Sequence, residues 1–181
     1  DSITFSIVAA PNNINLNFLV NGPNIYGCAP HTVAFFNNTS GASSFAWDFG
    51  DGNTLNTTQN IDTVFHTYLV AGTYTVTLTA QNSCTDTTTT LQITVFPKPT
   101  AAFIADRYTA CIGDRIQFTN QSDIATSYLW QFGDGNTSTL LNPSHSYSAP
   151  GLYTVKLIIY RVNAPGNTCI DSTTQQVQIV S

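Results

Sequence analysis

FAWDFGDGNT, residues 45–54, runs an alternating aromatic segment straight into a Gly-Asp-Gly-Asn turn, and YLWQFGDGNT, residues 128–137, repeats it. Phe45, Trp47 and Phe49 fall on one face of an extended chain, so the segment reads as a strand with one side in a core. Glycine accepts positive φ without a Cβ clash, and an Asp side chain can take hydrogen bonds from backbone N–H groups of its own turn. Gly50, Asp51 and Gly52, with Gly133, Asp134 and Gly135, are therefore read as structural turn residues. The competing reading makes Asp51 and Asp134 metal ligands or catalytic acids.

The motif anchors a repeat. Cys28 aligns with Cys111 and Trp47 with Trp130 at an offset of 83, His66 with His145 and Gly72 with Gly151 at 79, and Cys84 with Cys169 at 85. The changes of offset confine the length differences to two stretches, one after FGDGN in the first copy and one around NAPGN, 163–167, in the second. Insertions at turns are what two copies of one β fold show.

Composition agrees with β structure. The ten acidic residues are all Asp, Met is absent, and Thr, Asn, Val, Ile, Phe and Tyr abound, which disfavours helices and suits pleated strands. Charged residues make up 8% of the chain and the formal net charge is -5. Lys98, Arg107, Arg115, Lys156 and Arg161 form no basic stripe, so a nucleic-acid partner is not expected. No run reaches the roughly 18 apolar residues of a membrane helix, and the first residues lack the pattern of a signal peptide, so the chain reads as a soluble, processed or excised segment.

Alternation places strands at 14–20, 32–37, 44–49, 63–68, 73–80 and 89–95, and the second copy repeats the order. FPKPT, 96–100, reads as a stiff linker because its prolines cannot continue a ladder. The expected fold is all-β, two tandem sandwiches over 14–96 and 97–181, with residues 1–13 as an N-terminal extension or donor strand. W-[DQ]-F-G-D-G-N, then H-x-Y, then G-x-Y-T-V resembles the PKD domain, an immunoglobulin-like sandwich. Both copies carry the pattern, with Gln131 standing where the first has Asp48. The resemblance implies extracellular, non-catalytic work in spacing, adhesion, and protein or carbohydrate contact.

No catalytic set accompanies the histidines: G-x-S-x-G, HExxH and C-x-x-C are all missing. His66 and His145 precede Tyr68 and Tyr147 by two, which puts each pair on one strand face and points to packing with a buried hydroxyl bond. FGDGN lacks the six or more oxygens of a calcium loop, so no cofactor is expected, calcium being the one metal the turn could be asked to hold. Trp47 and Trp130 read as sandwich core. Tyr26, Tyr108 and Tyr160 are the better aromatics for a binding face.

Cys28, Cys84, Cys111 and Cys169 have no metal spacing and read as disulfide candidates in an oxidising compartment. Two schemes stay open. One bond per domain gives Cys28–Cys84 and Cys111–Cys169; the immunoglobulin-like topology opposes it by placing those partners at opposite poles, and instead allows Cys28–Cys169 between domains. DSI, DTV, DTT and DST resemble bacterial O-glycan acceptors at Ser2, Thr63, Thr87 and Ser172, and N-x-[ST] occurs at Asn37, Asn38, Asn56, Asn120 and Asn136. The N-terminal DSITFSIVA resembles the last strand of a missing repeat, which could pair in cis or with another molecule. The expected role is a structural or adhesive building block of a surface protein or filament, meeting further copies, neighbouring domains or surface glycans. The rival role is an accessory carbohydrate-binding module of a secreted hydrolase.

Overall fold

A computed structural model describes residues 13–20, 25–163 and 166–181. The expectation for an N-terminal extension, Asn13 apart, falls outside the described residues, as does Ser2. The chain divides into two compact units, the first ending at Phe96 and the second spanning Pro97–Ser181.

In the first unit β1 (Phe18–Val20), β3 (His31–Asn37) and β6 (Thr63–Tyr68) make a three-stranded sheet in the order β1-β3-β6. A five-stranded sheet runs β2-β8-β7-β4-β5, from β2 (Tyr26–Cys28), β8 (Asp86–Phe96), β7 (Gly72–Gln81), β4 (Ser44–Asp48) and β5 (Thr54–Thr57). All pairings are antiparallel except β2 with β8. The second unit repeats this arrangement. Its smaller sheet is β14 (Ser144–His145), β11 (Ile116–Asn120) and β9 (Phe103–Ala105). The larger is β10 (Thr109–Cys111), β16 (Asn167–Val180), β15 (Gly151–Asn163), β12 (Ser127–Gln131) and β13 (Thr137–Ser138), again with one parallel pairing, β10 with β16.

The repeated motif positions the core. Phe45, Trp47 and Phe49 are buried while Ala46 and Asp48 alternate to solvent, so one strand face closes the sandwich. Phe18 meets Trp47 edge to face at 5.2 Å, and Phe103 meets Trp130 likewise at 5.0 Å. Such T-shaped pairs add to the area they bury because the ring edge is positive and the face negative. Trp130 Nε1 donates to the Leu140 carbonyl at 2.9 Å, satisfying the polar atom of a side chain that is otherwise sealed in.

Candidate functional site

Each FGDGN turn is built the same way. Gly50 and Gly52 have φ of 80° and 91°, and Gly133 and Gly135 have 89° and 93°. The first glycine of each pair also lets the chain lie against the neighbouring strand: a Cβ there would sit 2.7 Å from the Thr75 or the Thr154 carbonyl oxygen. Asp51 Oδ1 accepts the Asn53 backbone N–H at 3.1 Å, and Asp134 Oδ1 accepts that of Asn136 at 3.0 Å.

The other carboxylate oxygen reaches a residue that sequence reasoning did not connect to it. His66 Nε2 donates to Asp51 Oδ2 at 2.7 Å, and His145 Nε2 to Asp134 Oδ2 at the same distance. Each imidazole stacks on the phenylalanine before the turn, Phe49 or Phe132, at 4.1 Å. The signal was present in the recurrence of an Asp and a His in both copies, 15 residues apart in the first and 11 in the second, but the His was paired only with the Tyr two residues on. Burial works against ionisation of Asp51 and Asp134; the hydrogen bonds from His and Asn outweigh it and hold both carboxyls below the ordinary range.

Below this pair, Tyr68 Oη donates to the Phe49 carbonyl at 3.1 Å and Tyr147 Oη to that of Phe132 at 2.9 Å. Burial and the nearby Asp charge push both phenols well above their usual range, so they stay neutral donors. Asp, His and Tyr thus fasten the turn from three sides. Both oxygens of each carboxylate are engaged within the domain, and the set holds no nucleophile. Among the described residues no group of three or more His, Cys, Asp or Glu side chains converges as a metal cluster would.

The structure decides between the two cysteine schemes. Cys28 and Cys169 are disulfide-bonded, whereas Cys84 and Cys111 are exposed free thiols. One bond per domain does not form, and register explains it. Cys28 pairs with Phe96 at the far end of β8, while Cys84 precedes β8 at Asp86, so the eleven residues of that strand separate them by about 33 Å. Cys111 pairs with Val180, and Cys169 lies at the opposite end of the same strand β16, near its first residue Asn167. A disulfide spans only about 5.5 Å between Cα atoms.

The aromatic candidates lie on different segments of the chain. Tyr26 stacks on Phe96, Tyr108 accepts the Ala105 N–H at 3.2 Å beside Gln178, and Tyr160 pairs with Ile170 eight residues farther up β16. Thr63, Thr87 and Ser172 lie within strands rather than loops, the first two half-buried. Asn37 is buried, donates to Asn60 Oδ1 at 2.8 Å and accepts the Thr39 N–H, which gives that sequon a structural task.

A different surface stands out on the first unit. The outward residues of β7, Thr73, Thr75, Thr77 and Thr79, face Thr94, Gln92, Thr90 and Thr88 of β8. Thr79 and Thr88 are hydrogen-bonded through their hydroxyls at 3.0 Å. Beside this ladder opens a groove of about 570 Å³ lined by Ser44, Asn56, Thr57, Gln59, Thr79 and Gln81, with no charged side chain. The second unit carries Leu152, Thr154, Lys156 and Ile158 at the matching β15 positions, so the ladder belongs to one copy.

Among the described residues no helix is long and apolar enough to cross a membrane. The chain is 42% identical over 57 residues to the collagenase ColA of Bacillus cereus; the match covers 29% of this chain and 6% of the collagenase. The PKD1 domain of the Vibrio cholerae metalloprotease PrtV is 31% identical, with 46% of this chain and 99% of that one covered and a TM-score of 0.37. The ICAM-5 D1–D4 ectodomain fragment shares the fold alone, at 10% identity and a TM-score of 0.58 over 91% of this chain and 47% of that one. Family models described as PKD domain match residues 17–95 and 97–179. With two consecutive matches laid over two copies of one sandwich, the chain belongs to the PKD-domain family as a tandem pair of these non-catalytic modules.

Proposed function

We propose that this tandem pair is a structural spacer or building block of an extracellular protein, in which the fold rather than a reaction is the product. The observation that supports it is the fate of the repeated acid-base set: the carboxylates of Asp51 and Asp134, the Nε2 atoms of His66 and His145 and the hydroxyls of Tyr68 and Tyr147 are spent on holding a turn. A formed disulfide belongs to an oxidising compartment, which agrees with secretion. Adhesive contact, filament assembly and a cell-surface setting are parts of the same proposal. Force spectroscopy on the chain tethered through its ends tests it. A spacer resists extension until its sandwiches unfold; lengthening at forces below sandwich unfolding would overturn the reading.

A second reading, an accessory carbohydrate-binding module, is favoured by the groove beside the threonine ladder. Its hydroxyl and amide lining without charge suits a neutral, polyhydroxylated chain. A glycan array read by the intact protein separates the two. Saturable binding at millimolar concentration or tighter, lost in T79V, supports the carbohydrate module; an array without binding leaves the spacer.

A further inference from the structure

The groove on the first unit owes its depth to one small side chain. Ala46 of β4 stands opposite Asn56 of β5 on one side and Thr79 of β7 on the other, and all three alternate with core residues and so point outward. Ser44 and Gln81 form the next row. Alanine leaves a trough between its longer neighbours, and Asn56, Gln59 and Gln81 line it with three primary amides. Among the described residues no hydrogen bond engages those amide groups, whereas the hydroxyls of Thr57 and Thr79 are already bonded to the Gln59 backbone and to Thr88. The second unit fills the same place: Leu129, Ile158 and Tyr160 stand where the first has Ala46, Thr79 and Gln81.

This lining selects a ligand by chemistry. With no charged side chain, it offers nothing to offset the desolvation of an ion, which sets aside phosphate, uronate and ammonium groups. A primary amide presents N–H donors and a carbonyl, and a secondary amide answers with one N–H and one C=O, so the two can bond reciprocally. The Ala46 methyl beneath them gives an apolar seat for another methyl. An acetamido group carries that N–H, C=O and methyl together. A peptide backbone carries secondary amides too, but an extended peptide adds at a sheet edge, and this trough lies on the face, between β5 and β7.

We propose that the groove seats the acetamido groups of a neutral N-acetylated glycan, a polymer of N-acetylhexosamine. The proposal rests on the carbohydrate-module reading and names its ligand. Ala46 receives the methyl, the amides of Asn56, Gln59 and Gln81 pair with the acetamido N–H and C=O, and Ser44 is left for a ring hydroxyl.

Isothermal titration of the intact chain with soluble chitin oligomers tests this, beside cellulose oligomers of equal length that bear a hydroxyl in place of the acetamido group. The expected result is chitin binding at least about tenfold tighter, the contribution of one hydrogen bond. A46L raises the floor and should take chitin binding below detection. Its fold is safe, because position 46 is exposed and the second unit carries Leu129 at the matching place; an unchanged urea midpoint checks this. The double variant N56A/Q81A should bring the chitin affinity down to that for cellulose. Equal affinity for the two oligomers would overturn the acetamido assignment and leave the carbohydrate reading standing, whereas a glycan array without any binding sinks that reading itself. Chitin binding undiminished in A46L would put the ligand elsewhere and overturn the proposal, as would displacement of the chitin oligomer by gelatin, which would make the groove a peptide site.

Discussion

At the scale of single residues, the two glycines of each turn look interchangeable in the sequence and are not. Gly52 and Gly135 have positive φ with open space around a Cβ, so G52A and G135A should cost about 1–2 kcal/mol, the left-handed penalty alone. G50A and G133A add a collision with the Thr75 or Thr154 carbonyl and should cost distinctly more, which urea midpoints of the four variants will rank. A smaller loss in G50A than in G52A would mean that the backbone approach does not matter. The Asp carboxyls give a pH signature. Their folded pKa values lie below the unfolded value of about 3.9, so the stability they contribute is complete above that pH and is lost as pH falls through the folded values. The double variant D51N/D134N should therefore narrow the difference in urea midpoint between pH 5 and pH 3. An unchanged difference would assign the acid sensitivity elsewhere, with Asp171 next, since the Ala101 N–H and Lys98 also hold its carboxyl low.

Elements show what local pattern can and cannot carry. The long strands were legible because apolar and polar residues alternate over five positions or more, as in Val76, Leu78 and Ala80 on β7. β2, β10 and β13 were not: two or three residues give no periodicity of their own, and β2 and β10 are defined by partners distant in sequence. Missing β2 mattered: its parallel register with the end of β8 fixes Cys28 far from Cys84. Ile124 is another silent position, since its φ of 30° stands where the first repeat has Gly41 and nothing in its residue type announces it. The His–Tyr strand was read more fully. Tyr68 and Tyr147 were expected to make a buried hydroxyl bond from spacing alone, and the acceptor is the carbonyl just before the turn. Y68F or Y147F deletes that donor while keeping the ring, so either should lower stability by about 1–3 kcal/mol in denaturant titrations. A loss below a few tenths would show that the ring stacking on Tyr74 or Tyr153 does the fastening and the hydroxyl does not.

For the whole molecule, the repeat was the most informative feature of the sequence, because it turned one ambiguous motif into two observations. The second copy, with Gln131 in place of Asp48, separated what the turn requires from what a carboxylate cluster would have required. Burial of individual side chains followed from it, whereas the choice among cysteine pairings did not, since that depends on distances between strand ends. Each unit has its own core: Phe103, Phe118, Trp130, Leu157 and Ile179 cluster in the second, and among the described residues the strands β9 to β16 pair with one another. A domain of this size is near the lower end of what a core sustains unaided, so the completeness of that core is the deciding quantity. Residues 97–181 carrying C169S should accordingly fold alone, with a single cooperative urea transition, a slope below that of the full chain because less surface is exposed, and retained near-ultraviolet dichroism from Trp130. A broad transition, or a spectrum without tertiary aromatic signal, would show that the second sandwich depends on the first and that the pair, not the single repeat, is the folding unit.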